Sequence, residues 1–436
     1  MLRGLTARLR GSEVIRGTAI LASGTAVGQA VILATTPVLT RIFSPEQYGI
    51  LGFIASIATV LALVGTLSYD RALLLEPDSA SASHLFVLVL LWSSLLSVVA
   101  SAAVSIWSLG FDPNQAADSY AVWTGVLTLV TTLHVVLSMW VVRQKRYKNI
   151  AVAEGLLAIV MVAVQLGAGF IGIGAEGLLG GLLAGTALAV VLLGVFAYRS
   201  GAFATLRKFD PKAKWALARK HYRFPLYAMP TSLLERSSKR LPVFLMALFF
   251  SPIEAGYYWL CFRFVVAPVR LIVQNSRKPY YKQALDLRAK GESLAPLFWN
   301  STGALAAFAV PMVVAMILLA PSLFEILFGQ EWQRAGQYAQ WLTVATAASV
   351  LSMPCIDLAP IFQRQGHVLA FQTAQAIMRA LAIVAGGLMG DDLLTIALFA
   401  ISSCVMTVVM IGYFWRLIGT GSDLMAIPAS EGVGRE

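Results

Sequence analysis

Charge is scarce in this sequence. Only 13% of the 436 residues are Asp, Glu, Lys or Arg, while 58% are hydrophobic. A soluble domain carries about 25% charged residues, so a water-soluble globule is excluded and the chain is read as an integral membrane protein. Cysteine is nearly absent as well: Cys261, Cys355 and Cys404 all fall in long apolar stretches, which leaves no disulfide framework and no C-x-x-C metal spacing. The four histidines, His84, His134, His221 and His367, are widely separated. Also missing are a G-x-x-x-x-G-K-[ST] phosphate loop, a Ser/His/Asp set and a paired-carboxylate motif. None of the loops assigned to the outer side approaches the size of a folded domain. Enzymatic chemistry, a cofactor and a bound metal are therefore not expected.

What the chain does have is apolar length. A hydrocarbon core about 30 Å thick needs roughly 20 apolar residues per helix, and twelve segments meet that requirement: 17–40, 48–69, 84–109, 119–142, 150–173, 177–198, 224–250, 254–274, 294–320, 336–360, 367–389 and 392–415. The first follows a basic start but is too long for a signal peptide, so it is read as a membrane helix. Ten-residue alternation typical of an outer-membrane barrel is absent. The expected fold is an all-α polytopic bundle.

Net charge is +11, from 33 Lys and Arg against 22 Asp and Glu, and its distribution tests the topology. With the N-terminus inside, 25 of the 33 cations fall in inner segments, two (Arg41 and Arg334) in outer loops, and six within spans. Cytoplasmic loops hold such an excess, so both termini are placed in the cytoplasm. The basic segments mark topology and bilayer contact, with no role for nucleic acid.

The halves resemble each other. Phe43-Ser44-Pro45 with Gly49 precedes the second span, and Phe250-Ser251-Pro252 with Gly256 precedes the eighth. Ala117, Tyr120, Ala121 and Trp123 recur 218 residues later as Ala335, Tyr338, Ala339 and Trp341. Six spans separate the copies, which gives two pseudo-symmetric six-helix lobes related by an axis along the membrane normal. The lobes are placed at 1–223, including a basic linker 199–223, and 224–436, around a central cavity.

Thr40-Arg41-Ile42-Phe43-Ser44-Pro45-Glu46-Gln47-Tyr48-Gly49, Tyr222-Arg223-Phe224-Pro225-Leu226-Tyr227 with Leu241-Pro242, and Phe328-Gly329-Gln330-Glu331-Trp332-Gln333-Arg334-Ala335 resemble the motifs of Wzx-type oligosaccharide flippases. That family shares a superfamily with MATE exporters and the peptidoglycan lipid flippase. Ser68-Tyr69-Asp70-Arg71 replaces an Arg-Tyr-Glu turn common in the family. The resemblance implies a two-lobed transporter in the bacterial inner membrane. Its cargo would be polyprenyl-pyrophosphate-linked oligosaccharide for O-antigen, other lipopolysaccharide or exopolysaccharide, and polysaccharide-assembly membrane proteins would be its partners. The alternatives are an exporter of another solute on the same fold, or a membrane-embedded enzyme that modifies lipid or glycan.

The cations inside spans bear on that cargo. A charge at the bilayer centre costs at least about 2.5 to 3.5 kcal/mol and normally faces a polar interior. Arg236, Lys239 and Arg240 lie at i, i+3 and i+4 on one helical face, with Ser232 one turn before. Arg263 lies on the eighth span, and Gln375 and Arg379 form a stripe on the eleventh. Arg240, Arg263 and Arg379 each stand roughly 17 to 18 Å from an outer marker at 1.5 Å per residue, near the midplane. Guanidinium groups suit pyrophosphate oxygens, so these six residues are the candidate substrate surface. The alternative for the seventh-span cluster is a structural ion-pair network. Glu235 is a candidate for proton or sodium coupling, or the partner of Lys239 one turn on. With no nucleotide motif, an ion gradient or the membrane potential is the expected energy source.

Overall fold

The computed structural model describes residues 13–76, 78–111, 116–203, 211–362 and 364–419; within these, side chains at 13–22, 106–111, 116–119, 211, 213, 234–240, 267, 268, 270–276, 278 and 419 lie outside the description. All regular structure among the described residues is helical. The first half contains α1 (Glu13–Ile42), α2 (Pro45–Thr66), α3 (Ser79–Phe111), α4 (Ala116–Arg143), α5 (Tyr147–Ile171), α6 (Ala175–Arg199) and a short α7 (Pro211–Lys220). The second contains α8 (Met229–Phe249), α9 (Pro252–Cys261), α10 (Ala267–Ala289), α11 (Ala295–Phe328), α12 (Gln333–Leu351), α13 (Gln365–Met389) and α14 (Asp392–Gly419).

Ten described helices are long and apolar enough to cross a membrane, against the twelve spans expected. The other two are present as helical stretches of sufficient length, Phe224–Phe249 and Pro252–Ala289. Both are interrupted by charge: Glu235, Arg236, Lys239 and Arg240 in the first, and Arg263, Arg270 and Arg277 in the second. Proline alters both as well. Pro225 lies in a π-helical turn, Phe224–Ala228, whose following residue Met229 donates its N–H five residues back to the Phe224 carbonyl. A second π turn, Phe262–Val266, ends just before Pro268. Proline removes a backbone donor, and the widened turn is the local adjustment.

Helix starts follow the sequence chemistry. Ser44 caps α2 in a reciprocal capping box with Gln47, and Pro45 sits at the first helical position. Ser251 accepts from the Ile253 N–H at the start of α9, followed by Pro252. The two Ser-Pro motifs thus do the same work in each half. The offset of 218 holds farther on: Arg146 and Arg364 precede α5 and α13, and Gly172 and Gly390, both left-handed, terminate them.

The chain packs as two compact units, Met1–Phe244 and Leu245–Glu436. In the first, α2 and α3 pack on α4, and α4 and α5 pack on α6. In the second, α9 and α11 pack on α12, and α12 and α13 pack on α14. The same four pairings therefore recur in corresponding helices. Close approach depends on small residues: Gly177, Gly181 and Gly185 line the face of α6 against α5, where a Cβ on Gly181 would stand 2.3 Å from Gln165 Cγ. The equivalent contact in the second unit places Gly386 of α13 against Thr395 of α14. Apolar side chains such as Phe170, Ile171, Leu318, Leu388 and Val408 point outward, as helices surrounded by lipid require. Each unit also has an aromatic cluster at its basic end. Phe86 meets Trp140 edge-on in the first, with the Trp140 indole donating to Ser200 at 2.8 Å; Phe298, Leu358 and Phe414 are fully buried in the second.

Candidate functional site

The seventh helical stretch carries Arg236, Lys239 and Arg240 along one face of α8, with Glu235 beside them. The side chains of these four residues lie outside the described ones. Ser232, one turn earlier on the same face, is described: it is buried, and its Oγ accepts from Nη2 of Arg71 at 3.0 Å. Arg71 reaches α8 because the chain reverses sharply after α2. Leu67 and Ser68 both take left-handed conformations, with φ of 48° and 57°, a costly choice for residues bearing a Cβ. The helical turn Tyr69–Ala72 follows, and its buried Tyr69 hydroxyl donates to the Ala218 carbonyl at 3.2 Å.

Around Arg71 and Ser232 opens a cavity of about 400 Å³ lined by Arg71, Arg223, Phe224, Tyr227, Ala228, Thr231 and Ser232. Two guanidinium groups and several hydroxyls share its wall with aromatic carbon. A second, smaller cavity also includes Arg71, together with Thr59, Thr66, Ser68, Asp70 and Thr131. Arg223 is held near this place by a node on the preceding residues. Oε1 of the buried Glu76 lies 2.6 Å from Lys220 Nζ and 2.6 Å from His221 Nε2, and Arg143 donates to the Glu76 carbonyl at 2.9 Å. Burial works to raise the Glu76 pKa, but the hydrogen bonds and charges of Lys220 and His221 bring it below its ordinary value.

Arg71 and Arg223 were not among the expected site residues, because at the ends of spans they read as topology markers. Their signal lay in the two motifs that contain them, Ser68-Tyr69-Asp70-Arg71 and Tyr222-Arg223-Phe224-Pro225.

The remaining candidates belong to the second unit. Arg263 sits, partly buried, on the π turn Phe262–Val266. Gln375 and Arg379 are one turn apart on α13. Arg379 donates from Nε to Ser403 Oγ at 2.8 Å, and its guanidinium lies 5.0 Å from the Phe399 ring centre; that ring meets Tyr258 of α9 edge-on. The charge is thus held by a hydroxyl and an aromatic face. Arg277 is engaged by both oxygens of buried Asp357, with Nε 2.8 and 3.2 Å from them. At the opposite end Asp392 accepts from Arg334 Nε at 3.1 Å and from the Tyr338 hydroxyl at 2.7 Å. These two pairs tie helices together within their unit.

Residues 38–337 match the model of the polysaccharide biosynthesis protein family. The chain belongs to that family. It is 24% identical over 400 residues to a succinoglycan biosynthesis transport protein, ExoT, of Rhizobium meliloti (strain 1021), covering 87% of this chain and 75% of that one. Its fold is similar to that of a multidrug resistance MATE family transporter of the MOP superfamily in an inward-facing conformation, with a TM-score of 0.66 at 16% identity over 93% of this chain and 95% of the other. A MOP superfamily transporter from Pyrococcus furiosus, described as having a binding pocket of reversed polarity, matches with a TM-score of 0.55 at 13% identity over 94% and 96% of the two chains. This member of the polysaccharide biosynthesis family is therefore a multi-pass membrane protein with a fold similar to that of MATE transporters.

Proposed function

We propose that the protein is a flippase that moves polyprenyl-pyrophosphate-linked oligosaccharide from the cytoplasmic to the outer leaflet of the bacterial inner membrane. It supplies O-antigen, other lipopolysaccharide or exopolysaccharide assembly and works alongside the membrane proteins of that pathway. Both termini are cytoplasmic, and the lobes at 1–223 and 224–436 alternate in access. The observation that carries this reading is the cavity shared by Arg71 and Arg223, where two cations and the Ser232 hydroxyl stand at the foot of α8.

A pyrophosphate head group bears at least two negative charges, and its oxygens match the planar donor fork of arginine. Arg71 and Arg223 engage it at the inner interface. The α8 face of Arg236, Lys239 and Arg240, with Arg263, Gln375 and Arg379 of the second unit, provides the cationic surface on which it passes the bilayer core. The polyprenyl tail stays in lipid throughout. An organic-cation exporter would instead call for membrane-buried carboxylates along this surface.

The test is binding of a polyprenyl-pyrophosphate-linked oligosaccharide to purified protein in nanodiscs. A charge-assisted hydrogen bond contributes about 1.5 to 3 kcal/mol, so Arg71→Ala with Arg223→Ala is expected to weaken binding by at least about tenfold. Affinity equal to wild type in that folded double variant contradicts the reading.

A further inference from the structure

The short helix α7 has two unlike faces. Residues 211–223 include five lysines and arginines and no acidic residue, and the fold gives these cations separate tasks. Leu217 and Ala218 pack on the core of the first unit, and Lys214 and His221, seven residues apart, are buried on the same side. Lys220 and His221 meet Glu76, and Arg223 lines the cavity. Lys212 and Arg219 stand exposed on the opposite face, at i and i+7, with exposed Trp215 and Ala216 at i+3 and i+4 between them. Trp215 is 72% exposed, and Tyr222, just past the helix, is 50% exposed.

The level at which α7 is held follows from its anchors. The Tyr69 hydroxyl donates to the Ala218 carbonyl, and Glu76 grips the end of the helix. Both residues belong to the connection between α2 and α3, at the ends of two membrane spans, so α7 lies at the edge of the apolar layer. The same connection leaves Leu74 and Leu75 exposed. A tryptophan, with an apolar body and one N–H, settles at the lipid headgroups, and cations on the same helical face match the phosphates found there. A soluble acidic protein would match the two charges, but it gives no account of open apolar side chains at this level.

We infer that the outer face of α7 is a docking surface for anionic phospholipid, with Lys212 and Arg219 on the headgroup phosphates and the Trp215 ring at the level of the glycerol backbone. On the proposed topology these lipids belong to the cytoplasmic leaflet, whose negative surface attracts basic segments beside a membrane span. The surface uses no residue of the cavity, so it stands whether or not the cargo is a lipid-linked saccharide.

The test uses the full-length protein carrying fluorinated tryptophan, in nanodiscs of mixed phosphatidylcholine and phosphatidylglycerol. The Trp215 signal is the one lost from the fluorine NMR spectrum of Trp215→Phe. A trace of spin-labelled lipid, with the label on the acyl chain next to the glycerol so that the headgroup is native, reports which lipid lies against α7. Each cation at the surface enriches anionic lipid by roughly fivefold. Labelled phosphatidylglycerol is therefore expected to broaden the Trp215 signal several-fold more than the same amount of labelled phosphatidylcholine. High salt shrinks the difference, and Lys212→Gln with Arg219→Gln removes it, while slow amide exchange in α7 shows that the helix is still in place. Equal broadening by the two lipids in wild type, or a preference that survives in the double variant, overturns the inference. A Trp215 signal untouched by either lipid and broadened by a water-soluble paramagnet also overturns it, and leaves this face to a soluble partner.

Discussion

Arginine does different work at different places in this chain, and the difference lies in what each guanidinium meets. Arg277 and Arg334 meet carboxylates and fasten helices within the second unit. Arg379 meets a hydroxyl and an aromatic face, which leaves its positive charge without a carboxylate to cancel it among those contacts. The Arg71 guanidinium donates to the Ser232 hydroxyl while lining open space, the arrangement an anion-binding residue needs. Glu76 shows the opposite use of charge. It collects Lys220 and His221 and so fastens α7 to the start of α3. Because its pKa is depressed, the stabilisation is present above the unfolded carboxylate pKa and is lost as pH falls through the lower folded value. Amide hydrogen exchange of α7 is therefore expected to stay slow at neutral pH and down into the ordinary carboxylate range, then rise in stronger acid. At neutral pH, Glu76→Gln raises it by roughly tenfold, the equivalent of about 1.4 kcal/mol for a lost charge-assisted contact. Exchange rates equal to wild type would mean the node does not hold α7.

At the scale of elements, small residues and prolines set the shape. Association of helices in lipid relies on close packing in place of a hydrophobic driving force, and the α5–α6 contact depends on Gly177, Gly181 and Gly185. Gly181→Leu is expected to lower stability by about 1 to 3 kcal/mol through overpacking. That loss is seen as a lower melting temperature of purified protein, whereas the same change at Gly155, with open space around it, leaves the melting temperature near wild type. The Ser44-Pro45 and Ser251-Pro252 motifs were legible in the sequence because each precedes an apolar run at the same place in its half. The ten apolar spans were legible from length alone. The π turns at Phe224–Ala228 and Phe262–Val266 were not, since a proline announces a missing hydrogen bond but not how the preceding turn absorbs it. The Glu76, Lys220 and His221 node and the Arg71 to Ser232 bond join residues more than 140 positions apart, and no local pattern encodes such a meeting.

For the whole molecule, the positive charge separates in the sequence into cations between the apolar segments and cations within them. On the proposed topology the first group marks the cytoplasmic side by the positive-inside rule. Arg71 and Arg223 come from that group and line one cavity of the first unit. Four helix pairings are common to both units, yet the units diverge in chemistry: His134 and Glu154 of the first correspond, at the offset of 218, to Ser352 and Gln372 of the second. The central proposal, that the cations of this protein carry an anionic lipid-linked saccharide across the bilayer, is tested most directly by flipping in proteoliposomes. Lipid-linked oligosaccharide is loaded in one leaflet, and its appearance in the other is followed for wild type and for Arg236→Ala with Arg240→Ala. The account predicts transport by the wild type and at least about a tenfold slower rate in the folded, inserted double variant, from the loss of charge-assisted contacts worth about 1.5 kcal/mol or more. Equal rates in the two proteins would contradict it.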